Sequence, residues 1–374
     1  MRITIAQGAF LPVPPLRGGA IEKVWFQLGK LFAAQGHEVT HVSRLCDELP
    51  ENETIGGVRH LRVPGYSTPP SPLKLKFLDY LYSRRVKRTL PDADILVTNT
   101  FWLPIIARHA RFGKTYVHVG RFPKGQMRLY RGAGRLHAPS KAVAEAIRKE
   151  VPAFSSRIVS IPYPLPWQPL SPDEVQGERD PVILYVGRIA PEKGLDALVR
   201  AYVGLPEALR AAWQLRIVGP ADISRGGGGR SYLGRLRERA AAVTSRVQFP
   251  GPLFDETQLR QELARASLFV YPSLAERGET FGLAPLEAMS CGCPVLVSGL
   301  ACFQDFIENE KDGFVFDHDQ DDPAPALSDK LRQLLEQPES FRRIAPAALR
   351  KASQFEASRV AELYLQDFST LLQD

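Results

Sequence analysis

Short runs of apolar and β-branched residues alternate with amphipathic stretches along the whole chain. In the first half, the runs that predict strands are Arg2–Ala6, His37–Ser43, Val58–Val63, Asp94–Asn99, Thr115–Val119 and Arg157–Ile161. The stretches that predict helices are Ala20–Ala34, Leu73–Leu90 and Lys141–Glu150, the last with Ser140 as its N-cap. Strands that alternate with helices favour parallel sheets with helices on both faces.

Residues 162–180 are rich in proline and polar residues, and such a segment predicts a linker because proline cannot donate to a sheet. The alternation then begins again. The second set of predicted strands is Val182–Val186, Gln214–Val218, Arg246–Phe249, Ser267–Tyr271, Pro294–Val297 and Phe314–Phe316. The second set of predicted helices is Gly194–Tyr202, Tyr232–Ala242, Glu256–Ala266 and Ala284–Ser290. We therefore predict two successive α/β domains, residues 1–168 and 169–354.

A final amphipathic stretch, Ala357–Leu372, extends beyond the last predicted strand of the second domain. Its apolar stripe consists of Val360, Leu363, Tyr364, Phe368 and Leu371. A helix with one apolar face buries that face against a neighbour. We expect segment 355–374 to pack back on the first domain.

Composition limits the class of protein. The chain has 374 residues, 44% of them hydrophobic and 24% charged, which is typical of soluble proteins with more than one domain. The N-terminal segment lacks the features of a signal peptide, and no apolar run is long enough to span a membrane. The four cysteines (Cys46, Cys291, Cys293 and Cys302) do not suggest a disulfide scaffold, and we expect a protein of the reducing cytoplasm. Cys291 and Cys293 are interpreted as small buried residues after a helix, with a metal or redox pair as the alternative.

Charge is distributed unevenly between the two predicted domains. Residues 1–168 contain 25 lysines and arginines against 11 acidic residues, a balance of +14. The remainder contains 23 against 30, a balance of −7. A basic half joined to an acidic half predicts that the two halves face different partners.

Ligands of open α/β sheets bind beyond the carboxyl ends of the strands, so the loops there are the candidate site. Gly18 and Gly19 precede the first predicted helix, where they allow either approach to a phosphate or a plain tight turn. Arg188 and Lys193 flank the start of another helix. They can form a clamp for a diphosphate, although exposed cations are the ordinary alternative.

Two glutamates, Glu279 and Glu287, are separated by seven residues and follow the strand Ser267–Tyr271. The turn between them, Phe281 to Leu283, leads into a helix and offers free N–H groups. Carboxylates accept hydrogen bonds from sugar hydroxyls. The four-glycine run Gly226–Gly229 is not followed by Gly-Lys-[Ser/Thr], so a P-loop is excluded and the run predicts a mobile surface loop.

These motifs resemble those of the retaining glycosyltransferases of family 4, which have the GT-B fold of two Rossmann-like domains facing each other across a cleft. The resemblance is carried by ETFGLAPLEAMSCGCPV from Glu279 to Val295 and by GRIAPEKGLD from Gly187 to Asp196. Further matches are RGGAIEKV at 17–24, APSKAV at 138–143 and NEKDGFVF at 309–316. Together they span nearly the whole chain.

The resemblance implies a retaining, metal-independent transfer of a sugar from a UDP- or GDP-sugar, with no cofactor. It implies that Arg188 and Lys193 bind the donor diphosphate, Glu279 holds the transferred sugar and Glu287 binds the ribose. Phe281, Gly282 and Leu283 would supply backbone contacts, while Gly18 and Gly19 would approach the phosphate and acceptor. His118 matches an active-site histidine of the family, and its alternative is a buried structural histidine.

Two positions depart from the family pattern. Ile161-Pro162-Tyr163-Pro164 stands where the family has Ile-Pro-Asn-Gly, and Gly219-Pro220-Ala221 stands where it has Gly-x-Gly. The second departure leaves UDP and GDP both open. The alternative functions are another GT-B enzyme, an epimerase or a phosphorylase, and a non-catalytic sugar-nucleotide-binding protein.

We predict the kind of acceptor from the positive charge of the first half of the chain. A glycan or a lipid-linked acceptor with negative charge would suit it, in the synthesis of cell-envelope polysaccharide or glycolipid. The predicted helix Leu73–Leu90 mixes apolar residues with the cations Arg84, Arg85, Lys87 and Arg88. Such a helix either lies on the anionic inner face of a membrane or packs normally with a solvated basic face. Aromatic platforms interleaved with a basic groove are not evident, so nucleic acid is not expected.

Overall fold

Each half of the chain forms its own β-sheet in the computed structural model, which describes residues 1–16, 19–69, 71–175 and 177–373. The first unit comprises Met1–Pro166 and Phe355–Asp374, and the second comprises Trp167–Gln354. The sequence-based boundary was placed after residue 168. Gly18 lies outside the described residues, so the structure says nothing about its predicted contact with phosphate.

Eight strands form the sheet of the first unit within its described residues, in the order β3-β4-β2-β1-β5-β6-β7-β8. They are β1 (Arg2–Ala6), β2 (Glu38–Leu45), β3 (Asn52–Ile55), β4 (Val58–Pro64), β5 (Ile95–Thr98), β6 (Lys114–His118), β7 (Arg135–Ala138) and β8 (Ile158–Ser160). Only the pairing of β3 with β4 is antiparallel among these strands. The sheet is therefore of the doubly wound parallel type with a hairpin at one edge.

The helices of the first unit are α1 (Ala20–Ala34), α2 (Pro72–Thr89), α3 (Leu103–Ile106), α4 (Lys141–Glu150) and the C-terminal α12 (Ala357–Gln373). Ser140 caps α4 as expected, since its hydroxyl oxygen accepts from the N–H of Val143 at 3.3 Å. Helix α12 packs against α1, and Arg135 on β7 forms an ion pair of 3.1 Å with Asp367 of α12.

The apolar stripe of α12 differs at one position from the expectation. Val360, Tyr364, Phe368 and Leu371 are buried, but Leu363 is 40% exposed. Ala361 is fully buried instead. The inclusion of Leu363 in the buried face was wrong.

The sheet of the second unit has six parallel strands in its described part, in the order β11-β10-β9-β12-β13-β14. They are β9 (Asp180–Val186), β10 (Gln214–Val218), β11 (Val247–Gly251), β12 (Ala266–Tyr271), β13 (Val295–Ser298) and β14 (Phe314–Phe316). The helices are α5 (Leu195–Val203), α6 (Glu207–Ala212), α7 (Gly229–Ala241), α8 (Glu256–Arg265), α9 (Leu283–Ser290), α10 (Ala324–Glu336) and α11 (Glu339–Ala352).

The two central strands of this sheet, β9 and β12, are nearly continuous apolar runs, as expected of strands buried on both faces. They are hydrogen-bonded neighbours, with Leu268 opposite Ile183 and Phe269 opposite Leu184. Their carboxyl ends therefore lie side by side. The four cysteines are all buried, and none of them forms a disulfide within the described residues.

Candidate active site

Two loops meet at the carboxyl ends of β9 and β12 in the second unit. The N–H of Leu274, after β12, donates to the carbonyl of Glu192, after β9, at 3.0 Å. Gly194 allows this close approach, because it has a φ of 71° and a β-carbon there would lie 2.0 Å from the carbonyl oxygen of Pro272. The topology therefore brings the Arg188–Lys193 segment and the Glu279 loop together.

Lys193 and Glu279 form a buried ion pair at this junction. The Lys193 Nζ lies 2.5 Å from the Glu279 Oε2, and the two side chains are only 7% and 12% exposed. The same Nζ lies 5.2 Å from the centroid of the Tyr271 ring, which is within range of a cation–π interaction. A buried charge requires such partners, because an isolated ion loses its hydration without compensation.

One oxygen of Glu279 accepts three hydrogen bonds. Besides Lys193, the Tyr271 hydroxyl and the Ser273 hydroxyl each donate to Oε2 at 3.2 Å. Burial, followed by the charge of Glu279, raises the pKa of Tyr271 well above its usual value, so the phenol remains a donor. Sequence analysis missed Tyr271 and Ser273, although both lie at a strand end, where polar residues tend to be functional.

Tyr185 extends this cluster to the loop that carries Arg188. Its ring stacks on that of Tyr271 with the centroids 5.6 Å apart and the planes 9° from parallel. Its hydroxyl donates to the carbonyl of Arg188 at 2.9 Å. The two tyrosines therefore hold the ends of β9 and β12 in register.

Arg188 lies at the more exposed edge of the site. Its guanidinium is 3.1 Å from a carboxylate oxygen of Glu192, and it also donates to the carbonyl of Gly226. With 40% of its side chain exposed, it is accessible to a ligand. The cations Arg188 and Lys193 are thus both present at this strand end, but each already has an anionic partner.

The glycine run Gly226–Gly229 is hydrogen-bonded into this region. The N–H of Gly228 donates to the carbonyl of Ile189 at 2.8 Å, and α7 begins at Gly229. The interpretation as a surface loop therefore omitted a contact, since the Gly226 carbonyl accepts a hydrogen bond from Arg188.

Phe281, Gly282 and Leu283 form the turn into α9. Gly282 has a φ of 94°, and a β-carbon there would lie 2.4 Å from the ring of Phe303. Phe281 as a whole is 1% exposed, so its ring is not available to a ligand. The first-turn N–H groups of a helix have no acceptor inside it, and they favour an anion. Glu287 lies within α9 and is half-buried.

His118, at the end of β6 in the first unit, is 3% exposed. Its Nδ1 lies 2.9 Å from Nδ1 of His137, and its Nε2 lies 3.0 Å from the hydroxyl of Tyr163. Burial, and then His137, lower the pKa of His118 well below its usual value. This is the environment of a histidine with a structural role, and its part in the reaction stays a prediction.

Gly19 is the N-cap of α1 and has a φ of 105°. A β-carbon on Gly19 would lie 2.2 Å from Oε2 of Glu22, a residue that is 8% exposed. Burial raises the pKa of Glu22. A carboxyl group therefore lies against the glycine for which the sequence predicted a phosphate, and that contact stays a prediction.

Two parallel α/β units with a charged cluster at the strand ends of the second define the class: this is the GT-B architecture of glycosyltransferases. The family model described as "Glycosyl transferases group 1" matches residues 169–351, and the "Glycosyl transferase 4-like domain" matches residues 19–164. The chain belongs to this family of glycosyltransferases. The predicted family and fold are confirmed.

Two relatives show how far the similarity extends. The serotype-specific mannosyltransferase WbdA of Escherichia coli is 31% identical over 197 residues, which is 52% of this chain and 22% of that protein. The chain thus matches about a fifth of WbdA's length. The phosphatidyl-myo-inositol mannosyltransferase of Mycobacterium leprae is 26% identical over 94% of this chain and 93% of its own.

Solved structures agree on the fold. A sucrose-phosphate synthase from Thermosynechococcus elongatus superposes with a TM-score of 0.82 at 21% identity, covering 100% of this chain and 99% of that one. HepE of Anabaena, in complex with UDP and glucose, gives a TM-score of 0.72 at 19% identity, covering 99% and 100%. At these identities the similarity concerns the fold alone.

Proposed function

We propose that the protein is a retaining glycosyltransferase that moves a hexose-type sugar from a UDP- or GDP-sugar to a glycan or lipid-linked acceptor. The observation that supports this proposal is the cluster of Lys193, Glu279 and Arg188 at adjacent strand ends. It combines cations for a diphosphate with a carboxylate for sugar hydroxyls. Lys193 and Glu279 are buried, and neither residue type is common in a buried position without a functional or structural reason.

The chemistry follows from charge. Breaking the glycosidic bond of a nucleotide sugar leaves negative charge on the diphosphate. Arg188, Lys193 and the N-terminus of α9 are positive groups that stabilise this charge as it develops. On Glu279, Oε2 already accepts from three donors, so Oε1 is the oxygen that takes hydroxyls of the transferred sugar. Glu287 is assigned to the ribose.

The donor assignment is tested by binding and turnover. Arg188→Ala and Lys193→Ala should each weaken nucleoside diphosphate binding by about tenfold or more, since each removes a charge-assisted contact. Arg200→Ala and Lys330→Ala are matched controls, because these cations also form ion pairs in the second unit, with Asp322 and Glu310. Equal affinity in all four variants would refute the diphosphate site.

Binding measurements also decide whether the donor is a UDP-sugar or a GDP-sugar. HepE holds UDP in its structure, which supports a UDP-sugar, while the named relatives are mannosyltransferases. Calorimetric titration with UDP and GDP, followed by turnover of the preferred sugar, separates the two. Binding of a nucleotide sugar without hydrolysis or transfer would identify a non-catalytic binding protein instead.

Metal independence and retention are further parts of the proposal. Because protein cations offset the leaving-group charge, we expect turnover to persist in EDTA. Recovery of lost activity by Mg²⁺ or Mn²⁺ would contradict this. Proton NMR of the product should show the anomeric configuration of the donor, and an inverted product would refute retention.

For the acceptor, we propose an anionic molecule or surface that meets the first unit in the cytoplasm. One face of α2 supports this, because Leu73 is 81% exposed and Phe77 is 60% exposed. Arg84 and Arg88 continue the same stripe at helical spacing and are also exposed. An apolar end followed by cations matches the interface of an anionic membrane. Across the described residues, no helix is both long and apolar enough to cross a bilayer.

Arg85, which we grouped with these cations from the sequence, contacts other residues of the first unit. It donates to the carbonyl of Pro64 at 2.8 Å and lies 5.1 Å from the ring centroid of Tyr66. It therefore connects α2 to the first unit, and we leave it out of the cations that the membrane assay tests.

A vesicle assay tests the membrane proposal. Reversal of Arg84, Lys87 and Arg88 to glutamate should abolish sedimentation with phosphatidylglycerol vesicles at low salt, since each cation contributes about 1 kcal/mol near such a surface. The control is reversal of three exposed arginines of α11, Arg342, Arg343 and Arg350. If the unmodified protein ignores these vesicles, a soluble acidic acceptor replaces the membrane.

A further inference from the structure

Four buried side chains of the first unit form a continuous chain of hydrogen bonds around His118. The Tyr163 hydroxyl lies 3.0 Å from the His118 Nε2, and the His118 Nδ1 lies 2.9 Å from the His137 Nδ1. The His137 Nε2 then lies 2.8 Å from the carbonyl oxygen of Ile161 and 3.0 Å from the hydroxyl of Tyr364. None of the four side chains is more than 4% exposed.

The proton positions in this series of hydrogen bonds follow from the Ile161 carbonyl at its end. A carbonyl oxygen only accepts, so Nε2 of His137 carries a proton and donates to Ile161. A neutral His137 then has a bare Nδ1, which must accept from Nδ1–H of His118. A neutral His118 has a bare Nε2, and Tyr163 donates to it. One carbonyl therefore fixes the tautomers of both histidines.

Both imidazoles are neutral in this environment. The groups packed around them are aromatic: the rings of Trp25 and Tyr163 contact His118, and those of Tyr116 and Tyr364 contact His137. Burial lowers the pKa of His137 to about 4 and that of His118 well below its usual value. A second proton on either ring would have to displace one of the hydrogen bonds.

We infer that Tyr163 is a positioning residue: its hydroxyl donates to the Nε2 of His118 and so holds the ring in the tautomer that Ile161 sets through His137. Where it concerns turnover, this inference rests on the proposed function and on the predicted part of His118 in that transfer. Tyr163 stands where the family pattern has asparagine, so the contact is a feature of this chain. A β-carbon at Gly120 would lie 3.0 Å from the His118 Nε2, so the glycine avoids a close contact at the edge of the ring that Tyr163 also meets.

Nitrogen NMR of the ring-¹⁵N-histidine-labelled full chain tests the tautomer without any substrate. We expect the His118 Nδ1 to resonate as a protonated nitrogen and its Nε2 as a hydrogen-bonded, unprotonated nitrogen. His118→Gln identifies these signals by their loss. In Tyr163→Phe, the Nε2 signal should move toward that of an imidazole without a donor. A protonated Nε2 in the wild type, or an unmoved signal in the variant, would overturn the inference.

Kinetics test the consequence for transfer. Loss of one neutral hydrogen bond should reduce kcat about five- to tenfold in Tyr163→Phe, with the donor KM unchanged. The acid limb of the pH profile should move to higher pH, because the lost donor had stabilised neutral His118. Tyr364→Phe is the matched control: it also removes a buried hydroxyl, but Ile161 still holds the His137 proton.

The outcomes separate the two proposals. If Tyr163→Phe folds with a normal melting temperature and keeps the wild-type kcat and acid limb, Tyr163 does not act through His118 and the inference is overturned. If Tyr364→Phe shows the same losses as Tyr163→Phe, the effect is one of packing and the inference also fails. A wild-type protein without transferase activity would refute the proposed function, while NMR would still decide the tautomer.

Discussion

The two units each bury a polar cluster at the carboxyl ends of their strands, but they stabilise it in opposite ways. In the second unit, Lys193 and Glu279 are charged and pair at 2.5 Å. In the first unit, His118 and His137 are neutral and share hydrogen bonds with tyrosines. The charged cluster suits a charged ligand such as a diphosphate, whereas the neutral chain fixes ring orientation without charge. Different perturbations should therefore break the two clusters.

The largest effect is expected from removing one charge of the buried pair. Glu279→Gln leaves Lys193 buried without a carboxylate, and we expect a loss of about 3 kcal/mol in the free energy of unfolding, together with loss of turnover. Urea denaturation of the full chain measures this. Glu310→Gln is the control, because the Lys330–Glu310 pair has its carboxylate 56% exposed and should contribute less than about 1 kcal/mol.

The double variant Lys193→Met with Glu279→Gln sharpens this prediction. With no buried charge left, its stability should recover much of the loss of the single variant. A double variant as unstable as the sum of its singles would show that the pair is not coupled.

Acid should unfold the first unit before the second. His41, His60 and His137 are buried in the first unit, and burial lowers the pKa of His60 and His137 to about 4 and that of His41 well below its usual value. The unfolded imidazoles protonate near pH 6.5, so stability is complete above that pH and falls as the pH decreases toward about 4. We expect about 3 kcal/mol of lost stability from each of His60 and His137.

A buried carboxyl group opposes this trend. Burial raises the pKa of Asp79 to about 6. Protonation of Asp79 in acid therefore stabilises the folded first unit. His60→Phe should make the first unit less acid-sensitive, because it removes a buried histidine whose protonation destabilises the fold, while Asp79 remains. Calorimetry from pH 7 to 4.5 measures both transitions, and earlier melting of the second unit would contradict the comparison.

The smallest effect is expected at Tyr271. Tyr271→Phe keeps the ring that stacks on Tyr185 but removes one of three donors to Glu279. A hydrogen bond from a neutral hydroxyl to a carboxylate contributes about 1.5 kcal/mol, so kcat should fall about tenfold while the fold remains intact. Tyr202→Phe, which removes a hydroxyl bonded to the carbonyl of Trp213, is the control and should leave kcat unchanged.

Much of the fold could be read from the sequence, because local patterns specify local structure. The strand Arg2–Ala6 and the helices Ala20–Ala34 and Lys141–Glu150 were predicted with their observed bounds. The periodicity of apolar residues is strong in these elements. Strands β3 and β7 were missed, since Asn52–Ile55 is an exposed edge strand and Arg135–Ala138 is only four residues long.

Helices α10 and α11 were also missed, although their apolar spacing is regular. Pro346 lies inside α11, where proline disfavours a helix. The interior proline is accommodated because Ile344, Ala348 and Leu349 bury the apolar face of this helix. Tertiary packing overrode local propensity at this element.

The sequence by itself determined which residues lie at the strand ends, including Arg188, Lys193 and Glu279, because strand ends follow from the pattern. Only the tertiary structure decided their partners. The pairing of β9 with β12 brings Lys193 against Glu279 across 86 residues of chain, and the return of α12 to the first unit brings Tyr364 to His137 across 227. Such contacts depend on sheet order and on the path of the chain, which no local pattern encodes.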